Sequence, residues 1–403
     1  MTKKISTTPK AVLFICLLLL SLVNIANYYV NSRINRLQTI SASEKAADAS
    51  APTPITDAAK EIGTTSANPI LEENKYDLTQ NDILLGQNFI VGIYGVTLDE
   101  RTKNFLKLVK PGGIILYERN YESESQFKKL ISDLQKLSLA ETRLPFFIMM
   151  DEEPGGATRL NLFRNELGFI KPSWEKIESD IRKMAAIGAN VNLAPIADYP
   201  FNKNAFIKTR ISTNSPDELK EFNKNFIGLL QKNQVSATLK HFPGIGVFTD
   251  DPHEKPINAV VDEKIFNDSV GIFKSGIDAG ARFIMTSHAS YGNIDKNVPA
   301  TLSEKIITGL LRNTLGFKGL IITDDLAGMP FINDPEMDLA QATAQSLAAG
   351  HNLVIFSHNN PLAAGVYGKL LSNMDSDSGL KIIVEKNYRD VALFKQQYLS
   401  PAD

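Results

Sequence analysis

The chain has 403 residues, 43% of them hydrophobic and 22% charged, which excludes a wholly disordered, collagen-like or fibrous protein. A net charge of −2 offers no basic field for nucleic acid, and the single cysteine, Cys16, excludes a disulfide framework or a cysteine-based metal site. The charge is uneven: residues 1–40 hold five basic side chains and no acid, which leaves 38 basic against 45 acidic groups, −7, in the rest.

Residues 1–10 form a basic tail with Lys3, Lys4 and Lys10. The apolar run over residues 11–30 follows, and about 20 residues at 1.5 Å rise span a hydrocarbon core of roughly 30 Å. Tyr28 and Tyr29 stand at its far end like interface anchors. A small-x-small cleavage site is hard to find near Ala26, so the expectation is a transmembrane anchor or uncleaved signal segment. Three lysines before it and two arginines after it place the N-terminus inside and the bulk of the chain outside, periplasmic or at the cell surface. Residues 31–72, rich in Ala, Ser, Thr and Pro towards their end, read as a flexible tether.

The remainder, 73–403, reads as one domain. Short β-branched or aromatic runs give eight candidate strands: Asn88–Tyr94, Gly113–Tyr117, Pro145–Met150, Asn190–Ala194, Ser236–Leu239, Arg282–Thr286, Gly319–Thr323 and Asn352–Phe356. Helical periods lie between them. The clearest is Ser215–Gln231, where Ser215 is a candidate N-cap, Pro216 takes the first helical position and Glu218 is expected to complete a capping box. Eight strands alternating with helices predict a (β/α)8 TIM barrel rather than a doubly wound open sheet, because reactive side chains follow several different strands: Asp151 the third, Lys240 and His241 the fifth, His288 the sixth and Asp324 the seventh. The segment after the first strand lacks a glycine-rich nucleotide fingerprint.

Four segments carry candidate chemistry. In Ser236–Pro256 the strand delivers Lys240 and His241, Pro243, Gly244 and Gly246 force an irregular loop, and the loop ends in Asp251-Pro252-His253. A carboxylate two residues before an imidazole can accept its Nδ1 proton and fix the tautomer of a general acid–base. In Gly319–Leu326 an apolar strand runs into Asp324 and Asp325; Asp324 could be a nucleophile, a general base or a metal ligand, and Asp325 suits a cap for the following helix. Met149–Gly156 is a second apolar strand ending in acids, Asp151 first, with Arg159 eight residues on, and Arg210 precedes the capped helix. A metal site among Asp151, Glu152, Asp324, Asp325, His241, His253 and His288 is the weaker reading, since no HExxH pairing exists, and no G-x-S-x-G elbow supports a serine triad.

Taken together these segments resemble glycoside hydrolase family 3, in particular its bacterial β-N-acetylglucosaminidases of the peptidoglycan-recycling type. The matching stretches are Lys240-His-Phe-Pro-Gly-Ile-Gly246, Asp251-Pro-His253, Gly319 to Leu326, Gly112 to Asn120, Asn192 to Asp198, Met285-Thr-Ser-His288, Pro299 to Ser303 and Leu315 to Gly319, in the family's order over about Leu84–Phe356. The resemblance implies a single barrel without the second, sandwich domain of larger members. It implies Asp324 as nucleophile of a covalent glycosyl-enzyme, His253 held by Asp251 as acid and then base, and Asp151, Arg159, Arg210, Lys240 and His241 as contacts to the sugar. It implies a carbohydrate partner, an amino-sugar glycoside or muropeptide, and no metal or other cofactor. Ile245 stands where the family usually has histidine, Pro252 where it has serine between the dyad members, Pro154 and Gly328 each add a residue, and Asn352 replaces a frequent aspartate. Alternatives are β-glucosidase or phosphorolytic activity in the same family, and a membrane-anchored sugar-binding protein without turnover.

Overall fold

The structure, a computed structural model, describes residues 80–154, 156–159, 173–211, 213–252, 254–328 and 338–399. The basic tail, the apolar segment 11–30 and the tether 31–72 lie outside the described residues, as does His253. Among the described residues no helix is long and apolar enough to cross a membrane.

Among the described residues ten strands occur in the order β1 (Phe89–Gly92), β2 (Gly113–Ile115), β3 (Phe147–Met150), β4 (Val191–Asn192), β5 (Ser236–Phe242), β6 (Asn258–Ala259), β7 (Phe283–Thr286), β8 (Ser290–Tyr291), β9 (Leu320–Asp325) and β10 (Leu353–Phe356). Eight of them close into a barrel in the order β1-β10-β9-β7-β5-β4-β3-β2, every pair parallel, with Ile90 opposite Ile355 at the closing seam. Helices connect successive barrel strands. This is the predicted (β/α)8 barrel: six predicted strands contain an observed one and the other two overlap one that runs further. β6 and β8 pair in a small separate parallel sheet that the sequence reading did not anticipate. At two places the strands run further than expected: β5 carries Lys240 and His241 within it, and β9 carries Asp324 and Asp325.

Alternation along the strands divides the apolar side chains into two layers. Ile90, Ile115, Phe147, Met149, Phe283, Met285, Leu320, Ile322, Leu353 and Ile355 fill the barrel, whereas Phe89, Val91, Ile114, Ile148, Met150, Ile284, Ile321, Val354 and Phe356 face the helices. The C-terminal helix, Ser378–Tyr398, adds Val391 and Phe394 to the barrel's own layer. Phe147, Phe283 and Phe394 meet edge to face with ring centroids 4.9–5.7 Å apart, a packed apolar floor. With the core filled in this way, the strands' C-terminal ends are where a ligand has room.

The helix Pro216–Lys232 begins as predicted, with Ser215 Oγ accepting from the Glu218 amide at 3.1 Å and Pro216 in the first turn. Its capping box is not closed. Glu218 Oε2 instead accepts from the amide of Asn214 at 2.8 Å, one residue further back, so the same carboxylate ties down the approach to the helix. The helix Glu124–Thr142 does carry a complete box between Ser123 and Gln126.

Candidate active site

A cavity of about 490 Å³ opens at the C-terminal ends of the barrel strands. Asp151, Arg159, Arg210, Lys240, His241 and Asp324, six of the eight residues predicted for the site, line it together. Asp251 lies on the loop between β5 and β6 and does not line the cavity, and its predicted partner His253 is outside the described residues.

Lys240 is the centre of an ion cluster. Its Nζ donates to Asp151 Oδ1 at 2.8 Å and stands 2.6 Å from Glu153 Oε1. Arg159 donates from Nη2 and Nε to Asp151 Oδ2 at 2.8 and 3.2 Å, and Arg210 grips Glu153 with Nη2 and Nε at 2.6 and 3.1 Å. Burial disfavours charge on both acids, but Lys240 with Arg159 and Arg210 outweighs it and holds both carboxyls well below the usual carboxylate range. Burial likewise opposes charge on Lys240 and Arg210, and the same carboxylates raise both above their ordinary values. The cluster is therefore ionised throughout the working pH range. The turn that carries it is short: the Glu153 amide donates to Ala157 O and the Gly156 amide to Glu153 O, so the added Pro154 is absorbed just after Glu153 while Asp151 and Glu153 keep their partners.

His241 is oriented from behind. Its Nδ1 donates to Asp198 Oδ2 at 2.7 Å, which leaves Nε2 turned to Asp324, 3.9 Å from Oδ2 and too far for a hydrogen bond. Asp198 also accepts the amides of His241 and Ile245 at 3.0–3.1 Å, so one buried carboxylate fixes both the imidazole and the start of the loop after β5. The pairing of β5 with β7 shifts register between Leu239 and Phe242, which lets the consecutive side chains Lys240 and His241 both line the cavity. Beyond them, Gly244 has φ +120°, and a Cβ on Gly246 would stand 1.8 Å from Tyr199 O. Ile245 is fully buried in the core, so where the family has a polar side chain this chain packs an apolar one.

Asp324 ends the inward-facing series Leu320, Ile322, Asp324 on β9, and its side chain is 15% exposed in the cavity. Its Oδ1 accepts the Asp325 amide at 2.8 Å. Asp325 does not cap the next described helix, which starts at Leu339; it accepts from the amides of Ala327 (3.0 Å) and Ser357 (3.2 Å) and from the Ser357 hydroxyl, with His358 Nδ1 at 3.2 Å. It thereby joins the loops after β9 and β10. Tyr117 and His358 complete the rim, their rings 5.0 Å apart, and burial together with the Asp151 charge pushes the Tyr117 hydroxyl above its ordinary range, so it remains a neutral donor.

The sequence reading missed Glu153, Asp198 and Tyr117 as site residues. Glu153 follows Asp151 in the same turn, and Asp198 and Tyr117 lie in stretches that carried the family resemblance; what hid them was the distance along the chain to the charged site groups they face, 57 positions from Glu153 to Arg210, 43 from Asp198 to His241 and 34 from Tyr117 to Asp151.

Comparison with known proteins agrees with this architecture. The Glycosyl hydrolase family 3 N terminal domain matches residues 70–378. Proteins named beta-hexosaminidase from Nitrosospira multiformis and Nitrosomonas eutropha are 28% and 30% identical over 296 and 295 residues, each alignment covering 68% of this chain and 81% of the relative. Among solved structures, a beta-N-acetylhexosaminidase from Beutenbergia cavernae superposes with TM-score 0.69 at 25% identity, covering 78% of this chain and 98% of that one. A family 3 beta-N-acetylglucosaminidase from Paenibacillus superposes with TM-score 0.71 over 81% of this chain and 64% of that longer one, at 23% identity, a likeness of fold. Since the family's domain runs over most of the barrel that builds the cavity, the chain belongs to glycosyl hydrolase family 3, a family of glycoside hydrolases.

Proposed function

We propose that the protein is a retaining exo-β-N-acetylglucosaminidase that removes terminal β-linked N-acetylglucosamine from peptidoglycan-derived glycosides. The observation that carries this reading is the Asp324 carboxylate at the end of β9, open to a closed-floored cavity whose other wall is the Asp151–Lys240–Glu153–Arg210 cluster. Cations and carboxylates side by side suit a ring of hydroxyls, each of which both donates and accepts. Asp324 would attack C1 of the sugar and form an ester while the bond from C1 to the leaving oxygen breaks. The His253 imidazolium, its tautomer set by Asp251, would give its proton to that oxygen. In the second half the neutral imidazole would take a proton from water, whose oxygen attacks C1 and releases Asp324. An imidazole in place of the second carboxylate of most retaining pairs avoids like-charge repulsion with Asp324.

The preference for an N-acetylhexosamine follows the names of the relatives, and the choice of N-acetylglucosamine follows the family resemblance of the sequence. The cell-wall substrate follows the resemblance to the peptidoglycan-recycling type, and the extracytoplasmic, membrane-tethered location follows the apolar run 11–30 and the tether 31–72. Turnover of 4-nitrophenyl N-acetyl-β-glucosaminide, loss of that turnover in Asp324→Ala, and labelling of the peptide spanning 321–326 by a fluorinated amino-sugar trap are the expected results. Label on any other peptide rejects the nucleophile, and turnover that requires phosphate marks a phosphorylase. Recovery of the full chain in the soluble fraction of lysed cells would remove the tether.

A further inference from the structure

A second cavity, of about 680 Å³, adjoins the first. His358 lines both. The second is built by the loop after β1 and the helix Glu100–Val109 on one side, and by the loop after β10 and the start of the helix Asn360–Met374 on the other. β1 and β10 are neighbours in the barrel, so both loops rise at the mouth that holds Asp324.

Its lining combines an exposed aromatic face with polar side chains. Tyr94 is 50% exposed, one of few large hydrophobic side chains left in solvent, yet it is held in place. Its hydroxyl donates to the backbone oxygen of His358, and the Arg119 guanidinium lies 4.9 Å from its ring centre and 4.4 Å from that of Tyr117. Arg159, 4.8 Å from the Tyr117 ring centre, links this group to Asp151. A ladder of rings and guanidinium groups thus fixes the Tyr94 face relative to the catalytic cavity. A rigid aromatic face that costs little ordering on binding suits the C–H face of a sugar, and Arg101, Asn359, Asn360 and Thr102 supply polar groups around it. Asp99, the acid in this lining, already accepts the Thr102 amide at 2.8 Å.

We propose that this second cavity is a leaving-group subsite that takes the sugar unit beyond the scissile bond, with Tyr94 as its platform and Arg101 as a hydrogen-bond donor to it. The assignment rests on the glycosidase reading above. It makes the enzyme select a glycan over an aryl glycoside.

The test compares N,N′-diacetylchitobiose, which fills both cavities, with 4-nitrophenyl N-acetyl-β-glucosaminide, whose leaving group is a small ring, using the full chain and its Tyr94→Ala and Arg101→Ala variants. The ratio of kcat/KM for disaccharide over aryl glycoside should fall about tenfold in Tyr94→Ala, mostly through KM, and severalfold in Arg101→Ala. A ratio that stays the same in both variants, whether or not the separate rates change, overturns the subsite and leaves the glycosidase reading standing. Absence of turnover by the unsubstituted enzyme on either substrate overturns both.

Discussion

Replacing Lys240 by Met probes the charge cluster that shapes the cavity. Lys240 is 3% exposed in its side chain and bridges Asp151 and Glu153, each of which retains one arginine when it is gone. Removing one partner from a buried ion cluster costs about 3–5 kcal/mol, because the remaining charges lose compensation that water no longer supplies. For a barrel of about 320 residues, unfolding entropy near 2.1 cal/mol/K per residue converts this to a fall in Tm of about 5–7 °C. The pH dependence has a definite sign. The two carboxyls have folded values depressed below 3.8 and 4.5, so their contribution is present above those values and is lost as pH falls through the folded ones. Lys240 is raised above 10.5, so its contribution is present below that value and lost only at more alkaline pH. The gap between parent and Lys240→Met should be full between about pH 5 and 10 and should narrow on acidification. Calorimetry of both proteins at pH 3, 5, 7 and 9 measures it. Equal Tm at pH 7, or a gap that widens towards pH 3, refutes the account of the cluster.

Three further outcomes are expected. Asp324→Asn should lower kcat/KM by at least ~10³-fold with Tm nearly unchanged, since a partly exposed carboxylate is exchanged for its isostere; an active variant would remove Asp324 from the chemistry. Asp198→Ala should lose about 1–3 kcal/mol in urea titrations because the amides of His241 and Ile245 lose their acceptor, and Asp198→Asn, which keeps an acceptor oxygen, should lose less. His351 is buried, its Nδ1 at 2.9 Å from Ser346 O and its Nε2 at 2.9 Å from Thr286 Oγ1, and burial lowers its pKa from 6.5 to about 3; the unfolded chain therefore binds the extra proton, stability falls by about 1.4 kcal/mol per pH unit from 6.5 towards 3, and His351→Gln should flatten that limb.

The barrel was legible because its strands are buried on both faces and read as continuous apolar runs, such as Ile114-Ile115-Leu116 and Leu353–Phe356, separated by helical periods. Their ends were less legible. The sequence reading ends the fifth strand at Leu239, where polarity begins, but β5 continues through Lys240 and His241 because Asp151, Glu153 and Asp198 satisfy those side chains inside the barrel mouth. The same holds for Glu218: its role in starting a helix is local and was foreseen, and its shift from Ser215 to Asn214 depends on the path of the preceding loop. For the site, strand-end acids and bases marked four cavity residues, Asp151, Lys240, His241 and Asp324, and the family resemblance added Arg159 and Arg210. Asp198 carried no such mark, since nothing within ten residues of it indicates that it faces an imidazole 43 positions on.

The pairing of charges also bears on what the cavity can accept. Every cation that lines it meets a carboxylate: Arg159 with Asp151, Arg210 with Glu153, and Lys240 with both. A phosphate or carboxylate ligand would have to displace one of those acids from a low-dielectric wall, and the buried acid would then be left uncompensated. A neutral ligand with many hydroxyls faces no such penalty, since it can add hydrogen bonds to Asp151 and Glu153 as donor and to the guanidinium groups as acceptor without breaking an ion pair. Asp324 lines the same cavity from the end of β9. Its Oδ2 stands 3.9 Å from Nε2 of His241, whose Nδ1 is held by Asp198. The wall of the cavity therefore favours a neutral, hydroxyl-bearing ligand over an anionic one, since only the anion must compete with acids that are already paired.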